Sequence, residues 1–262
     1  MHIQRYAHHD SCAKGGGIMG RVIMSGIVPL LKAPVTGVLA SSLAVGSTVK
    51  LMEGGTAVEY LVVNQGIPEN SSLYDASCDG TWLLRKDIHS NRQWNTSNNN
   101  AYASSSINTW LNSDYVNGFG TIEQATIKQV KIPYCAGNNS TTINSGTNGL
   151  NTKVFLLGGY EVGFTTSTSS HLLADGAKLS YFESGTSASA VNKRIAYLNT
   201  SADNWWLRSP NKALSYSVYT VANNGYDETS GGTTGNYGIR PALILPSNAL
   251  FDKTTKLLKG VK

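Results

Sequence analysis

Asn204-Trp205-Trp206-Leu207-Arg208-Ser209-Pro210 and Gly238-Ile239-Arg240-Pro241-Ala242-Leu243 frame a polar segment, residues 211–237. Both framing stretches read as apolar strands. Of the 27 residues between them, 19 are Tyr, Ser, Thr, Asn or Gly. Antibody paratopes use that mixture: Tyr gives broad amphipathic contact at low entropy cost, and Ser, Gly and Asn give adaptable hydrogen bonds. The segment therefore reads as a recognition surface. Asn211, Ser215, Tyr216, Tyr219, Asn223, Asn224, Tyr226, Asp227, Asn236 and Tyr237 are expected to form one contiguous exposed patch. Tyr216, Tyr219, Tyr226 and Tyr237 would be its anchors, because tyrosine is enriched where binding energy concentrates. Trp205 and Trp206 alternate across a strand, so at least one must enter the core. Arg208 and Arg240 can each pin a loop through several guanidinium donors. All four are assigned to the framework.

The rest of the chain fits a loop-rich, strand-rich fold. It has 262 residues, enough for a real core, with 14% charged and 40% hydrophobic residues. Thr48 to Met52 and Ala57 to Val63 flank Glu53-Gly54-Gly55-Thr56, which predicts a hairpin. A strand is expected from Trp82 to Arg85, and loops over residues 95–100 and 136–151, the latter too poor in apolar residues to hold a strand. Ile107, Trp110, Leu111 and Tyr115 follow serines 104–106 at helical spacing. A second helix is expected over residues 122–130, with Ile122, Ala125, Ile127 and Val130 turned inward. Further strands are expected at residues 154–157, 195–198, 205–207, 217–222 and 239–245. Pro241 demands an open side or an irregularity in the last of these. Residues 167–189 carry no firm assignment.

Several of these stretches together resemble a known family. Asn-Trp-Trp-Leu-Arg-Ser-Pro followed by Gly-Ile-Arg-Pro-Ala-Leu is similar to the C-terminal signature of bacterial and phage domains with a C-type-lectin-like fold, of the formylglycine-generating-enzyme subtype. Residues 44–49, 57–64, 81–88 and 153–157 resemble the phage-tail branch of that group, so the likeness covers roughly residues 44–250. The group includes variable proteins of diversity-generating retroelements. The resemblance implies an α+β fold of short twisted antiparallel strands, two short helices and long polar loops. It also implies a receptor-binding role in a phage tail or prophage product, made in the bacterial cytoplasm and carried on the virion. The partners it implies are a host-surface protein or glycan and other tail subunits. A structural or assembly subunit of a tail is the alternative reading; a hydrolase on the same fold trails it.

Charge and chemistry narrow the choice further. The net charge of +5 sits at the ends. Arg5, Lys14, Arg21 and Lys32 outweigh Asp10, and Lys253, Lys256, Lys259 and Lys262 outweigh Asp252, leaving 13 basic and 14 acidic residues between 45 and 251. A nucleic-acid binder concentrates positive charge on its folded face, so that class is set aside. Pro29, Lys32 and Pro34 break the apolar run of residues 22–45, which reads as an extended arm rather than a membrane span or signal peptide. The expected organisation is a leader and arm over 1–43, a ligand-binding domain over 44–250, and a basic tail over 251–262. Met1 and Met19 both stand as starts, with His2, His8 and His9 an incidental cluster in the leader. Cys78 and Cys135 read as buried free thiols, with a disulfide as the alternative. His89 and His171 are isolated, and the spacing of Glu161 and Glu183 does not require a paired-carboxylate site. No cysteine follows Cys135, so the pair that formylglycine-generating enzymes use is missing. The Glu-Pro-Asn and Trp-Asn-Asp calcium motifs of animal C-type lectins are absent too. The chain is expected to be non-enzymatic, without metal or cofactor, and open to homo-oligomer formation.

Overall fold

A computed structural model describes residues 36–229 and 232–262. The expectations for the leader and for His2, His8 and His9 lie outside the described residues. The fold is mixed α+β, mostly antiparallel strands with a few short helices. Two five-stranded sheets organise it. The first, the frame sheet, runs in the order Val154–Phe155, Ala242–Leu245, Thr81–Arg85, Thr56–Gln65, Thr48–Glu53, and every neighbouring pair is antiparallel. The second, the display sheet, runs Asp227–Thr229, Val218–Val221, Trp205–Pro210, Asn236–Gly238, Asn91–Gln93. Its one parallel pairing joins Trp205 to Gly238.

The chain passes between the sheets at Ile239-Arg240-Pro241. Gly238 closes a display strand and Ala242 opens a frame strand. Pro241 therefore sits in the crossover, where its missing N–H costs no ladder bond, and its carbonyl accepts the Arg85 N–H. The irregularity expected at Pro241 is this change of sheet. The hairpin at Gly54-Gly55 forms with Glu53 opposite Thr56. Both glycines have positive φ, 57° and 78°, the conformation a tight two-residue turn demands.

The first helix starts where expected. Ser105 caps it by accepting the Asn108 N–H, and Ser106–Trp110 continues into one wide π turn, Leu111–Tyr115. The second helix is shorter than expected, Thr121–Thr126, and it turns another face inward. Ile122 and Ala125 are exposed, whereas Glu123 is buried with its carboxylate accepting the Met52 N–H at 2.9 Å. That bond sets the rotation of the helix, and Val130 belongs instead to a strand, Val130–Ile132. Residues 136–151 hold two short strands after all, Ile143–Asn144 and the start of Leu150–Thr152. They pair with Tyr134–Cys135 and Val130–Ile132, so neighbouring apolar residues supply the packing they lack. A third helix, Ala188–Arg194, begins within the unassigned stretch and is capped by Ser187.

Residues 251–262 are not a loose tail. Leu258–Val261 pairs with Ala249–Phe251, which pairs in turn with Val38–Leu39. Asp252 accepts the N–H groups of Thr254 and Thr255 between the strands, and those bonds hold its carboxyl down at about 2. The folded unit thus extends past both of the boundaries expected at 44 and 250. Cys78 and Cys135 are unpaired and buried, and burial pushes the Cys78 thiol up to about 12. Among the described residues, no helix is long and apolar enough to cross a membrane.

Candidate functional site

The display sheet rests on buried polar pins. Trp205 and Trp206 point to opposite sides of their strand, and both are fully buried. Trp205 Nε1 donates to the Arg194 carbonyl at 3.0 Å and Trp206 Nε1 to the Arg92 carbonyl at 2.8 Å. Arg208 spends all five N–H donors inside the protein. Two meet the Glu161 carboxylate at 2.6 Å each, and three reach the carbonyls of Pro133, Leu156 and Asp175. Glu161 also accepts from Tyr74 Oη and from the Gly158 N–H. Burial opposes the Arg208 charge, but the Glu161 carboxylate overrides it and raises the guanidinium pKa. Glu161 is therefore a structural anion, while Glu183 lies at the surface against Lys193. The two do not form a carboxylate pair.

Arg240 is also buried. Its Nε donates to the Arg85 carbonyl at 2.9 Å and its guanidinium lies 5.0 Å from the centre of a Trp205 ring. Burial pushes it down to about 10, and its Nη1 has no partner among the described residues.

Asp175 completes the buried network, with both carboxylate oxygens accepting from Ser209 Oγ at 2.9 and 2.8 Å. Burial raises its pKa to about 6, against the lowering effects of Arg208 and Ser209. An unfolded aspartate titrates near 3.9. Between about pH 4 and 6 the folded state therefore holds more protons than the unfolded one, and stability falls as pH rises through that window. Asp175→Asn should remove this slope. Denaturation curves at pH 4 and 7 should show the variant gaining up to ~3 kcal/mol on the parent over the interval. Parallel curves for the two proteins would refute the assignment.

Two loops of the polar segment are each held by a residue outside it. Asn100, fully buried, directs Nδ2 at the carbonyls of Asn211, Leu214 and Ser217, at 3.2, 2.9 and 2.8 Å. Arg194 donates through Nε to the Gly225 carbonyl at 2.8 Å. Gly225 has φ +83° and a Cβ there would meet the Val191 carbonyl at 2.1 Å, so only glycine fits this turn. Neither Asn100 nor Arg194 was singled out in the sequence. The sequence carries no signal for Asn100, one asparagine among several in residues 95–100, and for Arg194 only its place just beyond an unassigned stretch.

The ten expected contact residues do not form one patch. Asn211 and Tyr219 are buried. Asn211 Oδ1 accepts the Ala213 N–H and so shapes the loop. The Tyr219 hydroxyl bonds the His171 backbone, and burial lifts its pKa to about 12. Tyr219 is core, not an anchor, because its strand Val218–Val221 is buried on both faces; alternation places it with Trp205 and Val221. Tyr237 lies on the other side, edge-on to Trp206 with centroids 4.8 Å apart, and is half-buried. Tyr216 and Tyr226 are exposed, at 43% each. They flank Val218–Val221 at opposite ends. Ser215 and Leu214 accompany Tyr216, while Asn223 and Asn224 accompany Tyr226. Asp227 is half-buried, accepting from Ser169 Oγ at 2.6 Å. Asn236 is exposed and lines a separate polar groove with Arg92, Gln93 and Thr96.

A cleft of about 450 Å³ opens beside the frame sheet, lined by Glu53, Gly54, Thr56, Val58, Arg85, His89, Trp110, Asp114, Tyr115 and Gly118. Glu53 is its keystone. It accepts from Tyr60 Oη at 2.6 Å, Tyr115 Oη at 2.9 Å and Arg85 Nε at 3.2 Å. Burial is the main reason both tyrosine hydroxyls are held well above their ordinary range. His89 lies 3.8 Å from Glu53 through Nε2, while its Nδ1 meets Ser90 Oγ at 2.7 Å. Burial lowers the His89 pKa, Glu53 opposes the shift, and Arg85 and Arg92 add to it. This cleft joins Glu53 to Tyr115, 62 positions on, and was not visible in the sequence, where His89 read as isolated.

The pattern of a domain of unknown function, DUF6273, matches residues 79–247, and the chain belongs to that family. The matched span takes in both framing motifs and the display sheet, and it begins after Glu53. No curated protein and no solved structure matches the chain.

Proposed function

We propose that this protein is a non-enzymatic receptor-binding module with a C-type-lectin-like fold, of the formylglycine-generating-enzyme subtype, carried on a phage tail. Its ligand is a host-surface protein or glycan. The observation that carries the reading is the split between pinned frame and displayed loops. Arg208, Arg194 and Asn100 are buried and fix the strands and loop backbones, while Tyr216 and Tyr226 project from the same segment into solvent. Rigid backbones with exposed tyrosines lower the entropy cost of binding. The two framing motifs, the short strands and the helices beside the sheets support the lectin-like assignment. The locking of Glu161 by Arg208 supports the non-enzymatic one. The binding surface is two patches, one of Tyr216 with Ser215 and one of Tyr226 with Asn223 and Asn224.

The test is adsorption of the fluorescently labelled protein to a panel of bacterial cells and to immobilised glycans. Tyr216→Ala/Tyr226→Ala should keep the parent melting temperature, because both rings are exposed, and lose adsorption. Full adsorption by the double variant would sink the assignment of these loops. Saturable turnover of a glycoside or peptide substrate would sink the non-enzymatic reading.

A further inference from the structure

The cleft at Glu53 lies outside the displayed loops and has chemistry of its own. Its charges do not cancel. Arg85 and Glu53 neutralise one another, and the lowered pKa of His89 favours its neutral form near pH 7. Asp114 remains: it is exposed, and its carboxylate has neither hydrogen bond nor ion pair among the described residues. The lining residues therefore carry one net negative charge, at Asp114, while the Arg92 guanidinium, not one of them, stacks on Trp110.

Beside that charge stand aromatic rings. Asp114 follows Trp110 by four residues, so the two share a helical face, and both line the cleft. Tyr115 packs against Trp110 with centroids 5.2 Å apart, and His89 stands 5.6 Å from Trp110. The Trp110 ring already accepts a cation, the Arg92 guanidinium, which sits 4.3 Å from the ring centre. The π turn at Leu111–Tyr115 presents these residues, and such turns concentrate at functional sites. An indole ring and a free carboxylate at one cleft form a cation receptor: the ring quadrupole and the carboxylate both attract positive charge, and the carboxylate also accepts N–H bonds.

We infer that the cleft formed by Trp110, Asp114, Tyr115 and His89 binds an organic ammonium group, the positive head of a small amine or of a lysine side chain on a partner. Glu53 acts as a positioning residue, since it is saturated by Tyr60, Tyr115 and Arg85 and holds the walls in place. This site is independent of the loops at Tyr216 and Tyr226.

The Trp110 indole resonance in proton–nitrogen correlation spectra reports occupancy. The other four tryptophans are fully buried, and Trp110→Phe assigns the signal. Full-length protein is titrated with tetramethylammonium chloride, representing a free amine, and with acetyl-Gly-Lys-Gly-amide, representing a lysine side chain. Sodium chloride at matched ionic strength and tert-butanol serve as controls. A saturable shift with either cation, absent with both controls, is the expected result, and the tighter of the two identifies the source. Asp114→Asn should weaken that binding by about threefold to fivefold, the scale of a partly exposed ion pair. No saturable shift with either cation would overturn the proposal. So would an equal response to tert-butanol, or unchanged affinity in Asp114→Asn. Because Asp114 is exposed, that variant folds as the parent does.

Discussion

Arg208→Met should lower the free energy of unfolding by about 3–5 kcal/mol at pH 7, the cost of leaving one member of a buried ion pair alone. Methionine fills much of the same channel, so the loss is electrostatic rather than a cavity. Glu161 would keep two neutral donors, Tyr74 Oη and the Gly158 N–H, and lose its only cation. The carbonyls of Pro133, Leu156 and Asp175 would lose theirs as well. Urea denaturation measures the effect. The double variant Arg208→Met/Glu161→Gln should recover part of the loss, because its buried anion is gone while the amide still accepts from Tyr74. A single variant within about 1 kcal/mol of the parent would show that water reaches Glu161 and that the pair is not the anchor of the display sheet.

The elements that repeat a local pattern were legible in the sequence. Gly54-Gly55 between alternating strands can only be a tight turn, and serines ahead of Ile107, Trp110 and Leu111 can only cap a helix. The framework role of Trp205, Trp206, Arg208 and Arg240 followed from size and donor number, and their burial agrees with it. What local pattern could not show was which way a polar residue faces. Glu123 looks like an exposed helix residue until Met52, 71 positions away, offers an N–H. Tyr219 looks like Tyr216 and Tyr226 until a strand buried on both faces and the His171 backbone take it inward. The same limit hid the cleft. Glu53, Arg85, His89 and Trp110 come from a hairpin strand, a second strand, a loop and a helix, and the bonds of Tyr115 and Arg85 to Glu53, with the backbone pairing of Glu53 and Phe119, bring them together. A site made by tertiary convergence leaves no spacing to read.

Trp206→Ala should cost about 3–5 kcal/mol, the range for truncating a large buried aromatic side chain. Three effects add. The ring is fully buried and leaves a cavity. The Arg92 carbonyl loses the indole N–H at 2.8 Å. Tyr237 loses its edge-on partner, with no other aromatic contact described for it. The consequence reaches further than stability, because among the described residues the strand pairing of Asn91–Gln93 with the display sheet runs through Asn236–Gly238, and the Trp206 indole adds a bond to it. Releasing the Arg92 carbonyl loosens that strand and with it the guanidinium stacked on Trp110. Differential scanning calorimetry gives the loss of stability. Hydrogen exchange at residues 91–93 and 236–238 should rise more than at Thr81–Arg85 in the frame sheet. Equal acceleration in both sheets would mean that the molecule opens as one unit. A melting temperature like the parent's would mean that Trp206 is not part of the frame, and that the indole is available to a ligand.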